Sequence, residues 1–328
     1  MEKNADTTEP IYPWGHSRRY NDYPSYIKKG FGKRVQKISV NVGFSCPNRD
    51  GTKGTGGCIY CDNSTFRPGY CRPSKSVRDQ IQEGVSFFEG NYPDLYYMVY
   101  FQSYTNTYAP VEELREMYLQ ALEHPKVTGL IVGTRPDCVN PEILDLLGQI
   151  NEKVPVAVEF GLESTLNRTL NLINRCHTWE DSIQAIQQCH QRGLATGGHL
   201  ILGLPGESRE EMLEHATKVS ALPLTTLKLH QLQVIKNTRL AAMYLENPGF
   251  VHLFSMDEYL HLVVEFLELL SPAIVVERFV SVSPTEKLIA PAWNKAKNFE
   301  IVAKLERELL KQNTWQGKKY SFTQNRAL

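Results

Sequence analysis

Six short apolar runs separated by amphipathic stretches constrain this chain more than any other feature. The runs lie at 36–42, 95–101, 129–133, 155–160, 194–202 and 226–232. Between them, at 76–89, 110–123, 141–150, 178–192 and 208–221, apolar residues recur with helical spacing. Several of these stretches have readable starts. Pro110-Val-Glu-Glu and Pro141-Glu place proline and acids in a first turn, where a fixed φ and the helix dipole suit them. Thr178-Trp-Glu-Asp and Ser208-Arg-Glu-Glu read as N-caps with an acid three positions on. Strands alternating with helices predict a parallel α/β sheet with right-handed crossovers. The 328 residues suffice for one large barrel or two smaller domains. Further helices are predicted at 239–246, 256–270 and 298–312, with an apolar strand at 274–280.

In such sheets ligands sit at the C-terminal ends of the strands, so the segments that follow each strand carry the chemistry. The first strand runs into a Gly-rich loop that holds Cys46, Cys58 and Cys61. Three thiolates on one loop can bind three irons of a cubane cluster and leave the fourth iron open. The Cys58-Ile-Tyr-Cys61 pair spans neighbouring corners of such a cluster. The competing reading is a structural zinc site in which Cys71 supplies a fourth thiolate. Zinc ribbons usually show two tight knuckles, and this loop shows one.

Composition narrows the class. The formal net charge is zero, which excludes a wholly basic nucleic-acid binder but allows a local basic patch. Hydrophobic residues make up 41%, a globular proportion. No apolar run approaches the roughly 18 residues of a membrane span. Met1 to Glu9 is polar and acidic, unlike a secretory signal. Seven cysteines without such a signal favour reduced thiols and a cytoplasmic location over a disulfide framework.

Three segments are expected: an N-terminal extension at 1–34, a core at 35–235, and a C-terminal extension at 236–328 packed on the barrel. The first mixes aromatics (Tyr12, Trp14, Tyr20, Tyr23, Tyr26, Phe31) with Arg18, Arg19, Lys28, Lys29, Lys33 and Arg34. It reads either as a strap packed on the barrel or as a surface for a polyanion.

The cysteine loop and the later strand ends resemble the radical S-adenosylmethionine (SAM) superfamily. Most members show C-x3-C-x2-C after the first barrel strand. The spacing here is C-x11-C-x2-C, similar in kind to the branch that includes the Elongator catalytic subunit. Other matching stretches are Cys46-Pro-Asn-Arg-Asp-Gly51, Phe101-Gln-Ser-Tyr-Thr-Asn-Thr107, Gly203-Leu-Pro-Gly-Glu207, Lys228-Leu-His230 and Ala290-Pro-Ala-Trp293. Together they make the chain resemble the YhcC/YtqA type of this superfamily.

The resemblance implies a partial (β/α)6 TIM-like barrel of the radical SAM type, with N- and C-terminal extensions. It implies an enzyme whose Cys46, Cys58 and Cys61 hold a 4Fe-4S cluster and whose open iron chelates SAM. Reductive cleavage of SAM then yields a 5′-deoxyadenosyl radical. The electron is expected from a reductant protein such as a flavodoxin or ferredoxin. Glu163 falls at the place of a ribose-binding residue, and a charge at a helix N-terminus is the alternative. Arg175 falls where an Arg clamps the methionine carboxylate, and a surface salt bridge is the alternative. Cys176 stands where the branch usually has Gly. The Gly-Gly-Glu often found after the second strand is missing. Gln102, Ser103 and Thr105 could supply acceptors there, or simply form a polar turn. Gly203 would let the backbone approach the adenine. Lys228 and His230 alternate with apolar residues, so both would face the lumen, as substrate contacts or as hydrogen-bonded core groups.

The same resemblance implies tRNA as partner and wobble-uridine maturation as the reaction type, from 5-carboxymethylaminomethyl-uridine to 5-aminomethyl-uridine. No acetyltransferase segment is recognised within the chain, so acetyl-CoA chemistry is not expected. A tRNA reader would need the cations from Arg18 to Arg34, with Lys295, Lys297, Lys304, Arg307 and Lys311, to gather on the barrel mouth. The readings that stay open beside this one are a radical enzyme acting on a small metabolite and a zinc-stabilised binding protein.

Overall fold

A computed structural model describes residues 10–62, 68–90, 92, 94–293 and 296–321. Lys295 and the polar Met1–Glu9 segment lie outside the described residues. Seven parallel strands form one sheet in the order β1-β2-β3-β4-β5-β6-β8. They are β1 (Val35–Val40), β2 (Tyr96–Phe101), β3 (Val127–Thr134), β4 (Val156–Glu163), β5 (Ala195–Leu202), β6 (Thr226–Gln231) and β8 (Val275–Arg278). The sheet thus gains one strand over the expected six, because the apolar segment at 274–280 contributes β8 beside β6. Strands buried on both faces read as continuous apolar runs. Tyr96-Tyr-Met-Val-Tyr-Phe101 is such a run, and it is buried from Tyr97 on.

The helices follow their predicted caps. Thr178 and Asp181 close a capping box on α6 (Trp179–Gln191), and Ser208 and Glu211 close another on α7 (Arg209–Ser220). Pro110 lies one position earlier than expected. It caps α3 (Val111–Ala121), with Glu112 and Glu113 in the first turn. The other crossover helices are α2 (Val77–Glu89), α4 (Pro141–Asn151) and the short α5 (Asn167–Leu172). Their apolar faces bury the outer side of the sheet in the main core.

The sheet curls into an open barrel whose two edge strands approach each other. Lys37 on β1 reaches Glu277 on β8 at 2.7 Å, across the lumen. At the N-terminal ends of the strands α1 (Tyr23–Phe31) stands between these edges. Val276 donates its backbone N–H to Asn21 O at 2.7 Å, which ties the chain just ahead of α1 to β8. Below the cavity, Met98, Tyr100 and Ile131 pack with Phe31 and Val35 into an apolar plug. This plug shuts the bottom of the lumen.

The segment before α1 is a strap. Tyr12 stacks on Trp14 and meets Trp315 (ring centroids 5.2 and 5.6 Å). Arg18 pairs with Asp22 and Glu306, and Arg19 donates to Thr314 O. A two-stranded flap, β7 (Val234–Ile235) and β9 (Leu288–Ala290), sits beyond the end of β6. The C-terminal helices are α8 (Arg239–Glu246), α9 (Met256–Leu269) and α10 (Asn298–Lys311). No helix among the described residues is long and apolar enough to cross a membrane.

Among the described residues, most of the cations expected at the mouth lie elsewhere, Lys297 at the start of α10 being an exception. Arg34 accepts from Tyr96 N, and the Lys33 ammonium lies 3.1 Å over the Tyr96 ring. Both contacts are at the start of β2, the end opposite the cavity. Lys28 and Lys29 occupy the last turn of α1 at that same end. Helix α10 starts near Trp293, whose indole donates to Phe254 O on the mouth side. It descends to Thr314, which donates to Glu268 at the far end of α9. Lys304, Arg307 and Lys311 are therefore carried down the flank, away from the mouth.

Candidate active site in the barrel lumen

A cavity of about 240 Å³ opens at the C-terminal ends of the strands. The loop after β1 forms one wall and brings Cys46, Cys58 and Cys61 to it. The loop is held by its own backbone. Cys46 O accepts from Arg49 N at 2.7 Å, and Cys58 O accepts from Cys61 N at 3.1 Å. Ile59 N donates to Ile173 O at 3.0 Å, so the Cys58–Cys61 pair is anchored to the segment that carries Arg175. Asn48 Nδ2 and Arg175 Nη1 lie 3.6 and 3.7 Å from Cys58 Sγ, both as donors. Burial and the neighbouring Cys58 push the Cys61 thiol up to about 11, against the pull of Arg49.

Cys71 does not join this group. Its Sγ donates to Ser39 O at 2.7 Å, on the strand backbone. Among the described residues, no three His, Cys, Asp or Glu side chains converge as ligands of a single ion. A four-thiolate zinc site needs its sulfurs within reach of one metal, about 2.3 Å each, and the Cys71 bond to β1 works against it.

Arg175 is 7% exposed and lies across the end of β4. It donates to Gly161 O at 2.7 Å and to His177 Nε2 at 3.0 Å, and Glu163 Oε1 is 3.6 Å away. A Cβ on Gly161 would crowd the tips of Glu163 and Arg175, standing 2.5 Å from Oε1 and 2.7 Å from Nη2. Burial and Arg175 together depress His177 to about 3, so this imidazole is neutral. Backbone strain gathers here. Tyr104, Glu163, Asn174 and Cys176 hold φ of 61, 67, 55 and 58°. Side chains other than glycine accept such angles at a cost of order 1–3 kcal/mol each. The left-handed backbone at Cys176 gives a physical reason for the glycine usual in the resembling branch.

Gln102, Ser103, Glu163, Lys228 and His230 all line the same cavity, as the sequence suggests. Gln102 Oε1 accepts from Ser39 Oγ at 3.2 Å. Gly203 is the exception. It holds φ +95° outside the lining, and a Cβ there would meet the Phe254 ring at 3.1 Å. It shapes the turn after β5 rather than presenting backbone to the cavity.

The floor carries a set of charges gathered around Lys228. Lys37, Glu159, Lys228 and Glu277 close a ring of ion pairs across β1, β4, β6 and β8. Glu159 meets Lys37 at 3.0 Å and Lys228 at 2.5 Å, and Glu277 meets them at 2.7 and 3.1 Å. His199 Nε2 lies 3.1 Å from Glu159 Oε2. Burial opposes ionisation of Glu159, but Lys228 and Lys37 hold its carboxyl well below the ordinary range. The Lys228 ammonium is therefore engaged in the ring and on the Tyr100 hydroxyl, 3.3 Å away.

Arg135 is a residue that the sequence hides. It is 2% exposed, forks onto Asp137 at 2.9 and 3.0 Å, and donates to Arg175 O at 2.8 Å. Arg135 lines the cavity, and its buried Nη1 has no partner among the described residues. The Thr105 hydroxyl and His230 Nε2 are likewise buried without a partner in the lining. Polar groups left so are costly unless a ligand meets them. Three thiols, two buried guanidinium groups and these orphaned polar atoms form a donor set that fits an anionic iron–sulfur cluster with a polar ligand beside it.

Comparison with known proteins agrees with this arrangement. The family model of the Radical SAM superfamily matches residues 41–219, and that of the Radical_SAM C-terminal domain matches residues 224–311. The uncharacterized protein YtqA of Bacillus subtilis is 33% identical over 94% of this chain and 95% of its own length. YhcC of Escherichia coli is 34% identical over 83% of this chain and 87% of its own length. A shorter match, 32% identical, joins 36% of this chain to 22% of a tRNA uridine(34) acetyltransferase of Methanocaldococcus infernus. The solved structure of M. infernus Elp3, with its N-terminus deleted, superposes with a TM-score of 0.67 at 16% identity. That match covers 86% of this chain and 64% of the Elp3 chain, and it speaks for the fold.

Proposed function

The chain belongs to the radical SAM superfamily, and from that membership we propose that it is a tRNA-modifying enzyme holding a 4Fe-4S cluster on Cys46, Cys58 and Cys61. The observation that carries the reading is the placing of three thiols and Arg175 together at the mouth of one closed-bottomed cavity. Enzymes of this superfamily use a 4Fe-4S cluster and SAM. Bound here and reduced by one electron, that pair would supply a 5′-deoxyadenosyl radical able to abstract a substrate hydrogen atom. A protein of flavodoxin or ferredoxin type would deliver the electron.

The protein's own groups position and shield. Arg175 offers a planar fork to the methionine carboxylate. Glu163 accepts from ribose hydroxyls, and Gln102 and Ser103 meet the methionine amino group. The plug of Met98, Tyr100 and Ile131 excludes water from below, which protects a radical from quenching. A charge-assisted bond lost from such a site costs about 1.5–3 kcal/mol, or about ten- to a hundredfold in affinity. Arg175→Ala and Glu163→Ala should each weaken SAM binding by that factor while iron content stays at the wild-type level. Calorimetric titration of the reconstituted protein measures this, and an unchanged Kd in Arg175→Ala removes Arg175 from the site.

The tRNA assignment rests on the likeness to tRNA uridine(34) acetyltransferases and on the fold shared with Elp3. The proposed reaction converts 5-carboxymethylaminomethyl-uridine at the wobble position to 5-aminomethyl-uridine. Anticodon loops suit such a cavity, because an unstacked base can be extruded into it. Anaerobic incubation with reductant, SAM and tRNA carrying the substrate nucleoside tests it by nucleoside mass spectrometry. Formation of 5′-deoxyadenosine without a changed nucleoside would reject tRNA and leave a small carboxylic metabolite as the substrate class.

A further inference from the structure

One wall of the cavity carries an arginine that no ion pair among the described residues neutralises. The β6–β8 pairing shifts register between Leu227 and Lys228, so that Lys228 faces Arg278 rather than Glu277. Such a bulge re-aims side chains. Here two successive residues of β8 reach the lumen: Glu277 enters the ring of ion pairs, and Arg278 lines the cavity. Charge counting separates them. Lys37 and Lys228 balance Glu159 and Glu277, and Arg278 remains. It is exposed and has no ion pair or hydrogen bond among the described residues, so solvent carries its charge until a ligand displaces it.

Of the four lining residues with a polar atom unpartnered among the described residues, two concern this wall: His230 through Nε2 and Ser281 through Oγ. Both are held in place. His230 stacks on His199 with ring centroids 5.7 Å apart, and His199 is fixed on Glu159. Ser281 is clamped by Gln231, which accepts from its N–H and donates to its carbonyl, each at 2.8 Å. Burial, with His199 and Arg278 nearby, keeps His230 well below the usual imidazole range. It is a neutral ring, free to present an N–H at Nε2.

We propose that Arg278, His230 and Ser281 form a receptor for a single carboxylate of the substrate. This deepens the reading of the cavity as the substrate chamber of a radical SAM enzyme and rests on it. One guanidinium beside two uncharged polar atoms suits a monoanion. The guanidinium fork matches a carboxylate in two parallel bonds. A phosphodiester is also a monoanion, but it brings a sugar on either side into a space of about 240 Å³. A carboxylate at the end of a short arm fits without that burden.

The test compares two anticodon stem-loops, one with 5-carboxymethylaminomethyl-uridine and one with its neutral carboxamide. The wild type should show a KM lower for the carboxylate by about ten- to a hundredfold, the factor for one charge-assisted pair. Arg278→Gln should erase the difference, and Arg278→Lys should restore part of it, since the charge returns without the fork. An Arg278→Gln enzyme that keeps the full preference overturns the receptor. If the wild type alters neither RNA, the tRNA reading has failed, and the receptor is judged separately. Phenylglyoxal labelling of Arg278 in the full-length protein, read by peptide mass spectrometry, is then run with N-methylglycine, dimethyl phosphate or methylamine present. Protection by N-methylglycine alone supports the receptor. Equal protection by dimethyl phosphate, or none by N-methylglycine, overturns it.

Discussion

Cys58→Ala is expected to lose the 4Fe-4S absorbance and all SAM cleavage, and Cys71→Ala to keep both. The two thiols lie thirteen positions apart in sequence, yet their surroundings differ in kind. Cys58 Sγ faces two donors, Asn48 Nδ2 and the Arg175 guanidinium, at 3.6 and 3.7 Å. It shares its loop with Cys46 and Cys61 on the cavity wall. Cys71 instead donates to Ser39 O and is 4% exposed, so it is a hydrogen-bonded filler beside β1. Removing one of three cluster ligands leaves no substitute within the loop, and Cys46→Ala and Cys61→Ala should match Cys58→Ala. Burial pushes the Cys138 and Cys189 thiols up to about 12, which suits inert core groups. Cys176 is bonded to Asn48 Oδ1 at 3.1 Å. Replacing any of these three should leave the cluster in place. Iron analysis and the visible spectrum of anaerobically reconstituted protein measure the outcome. Iron lost as fully from Cys71→Ala as from Cys58→Ala would refute the three-cysteine assignment.

What the sequence reveals is local. Continuous apolar runs mark strands covered on both faces, and Thr178 and Ser208 mark helix starts through bonds three residues long. The cavity wall is legible because the chain places its cysteines directly after the first strand. Long-range facts are not legible. Nothing local says that Lys37 meets Glu277, 240 positions away, or that a four-residue strand joins the sheet edge. Arg135 is hidden because Thr134-Arg-Pro-Asp reads as an ordinary polar turn. The basic stretch teaches something different. Lys33 and Arg34 directly precede β1, so strand direction alone assigns them to the end away from the cavity. Charge without direction points to the wrong surface, and the cations on the mouth side come from later segments, with Arg278 on β8 among them.

Glu159→Gln is expected to cost about 3–5 kcal/mol of folding stability, the usual price of breaking a buried ion pair from one side. Glu159 is 3% exposed in its side chain, and Lys228 is 4% exposed. The glutamate accepts from Lys37, Lys228 and His199 at once. A glutamine keeps the shape but offers one acceptor oxygen and turns two N–H donors toward ammonium groups. Lys37 and Lys228 would then share Glu277 alone, two buried cations on one anion. The pH profile has a definite sign. Burial is the largest single influence and raises the Glu159 carboxyl, but Lys228, Lys37 and His199 together outweigh it, so its folded value lies below the unfolded one. Its contribution is therefore complete above the unfolded glutamate range, about 4.3, and is lost as pH falls through the depressed folded value. Urea midpoints at neutral pH should drop in Glu159→Gln with the slope m unchanged, and the gap to wild type should narrow toward acid. Adding Lys228→Met to Glu159→Gln removes the stranded cation and should recover part of the loss, a coupling that a double-mutant cycle reads directly. A single variant within about 0.5 kcal/mol of wild type, the range of an ordinary surface change, would mean that water already solvates this ring and that the floor is held by the apolar plug alone.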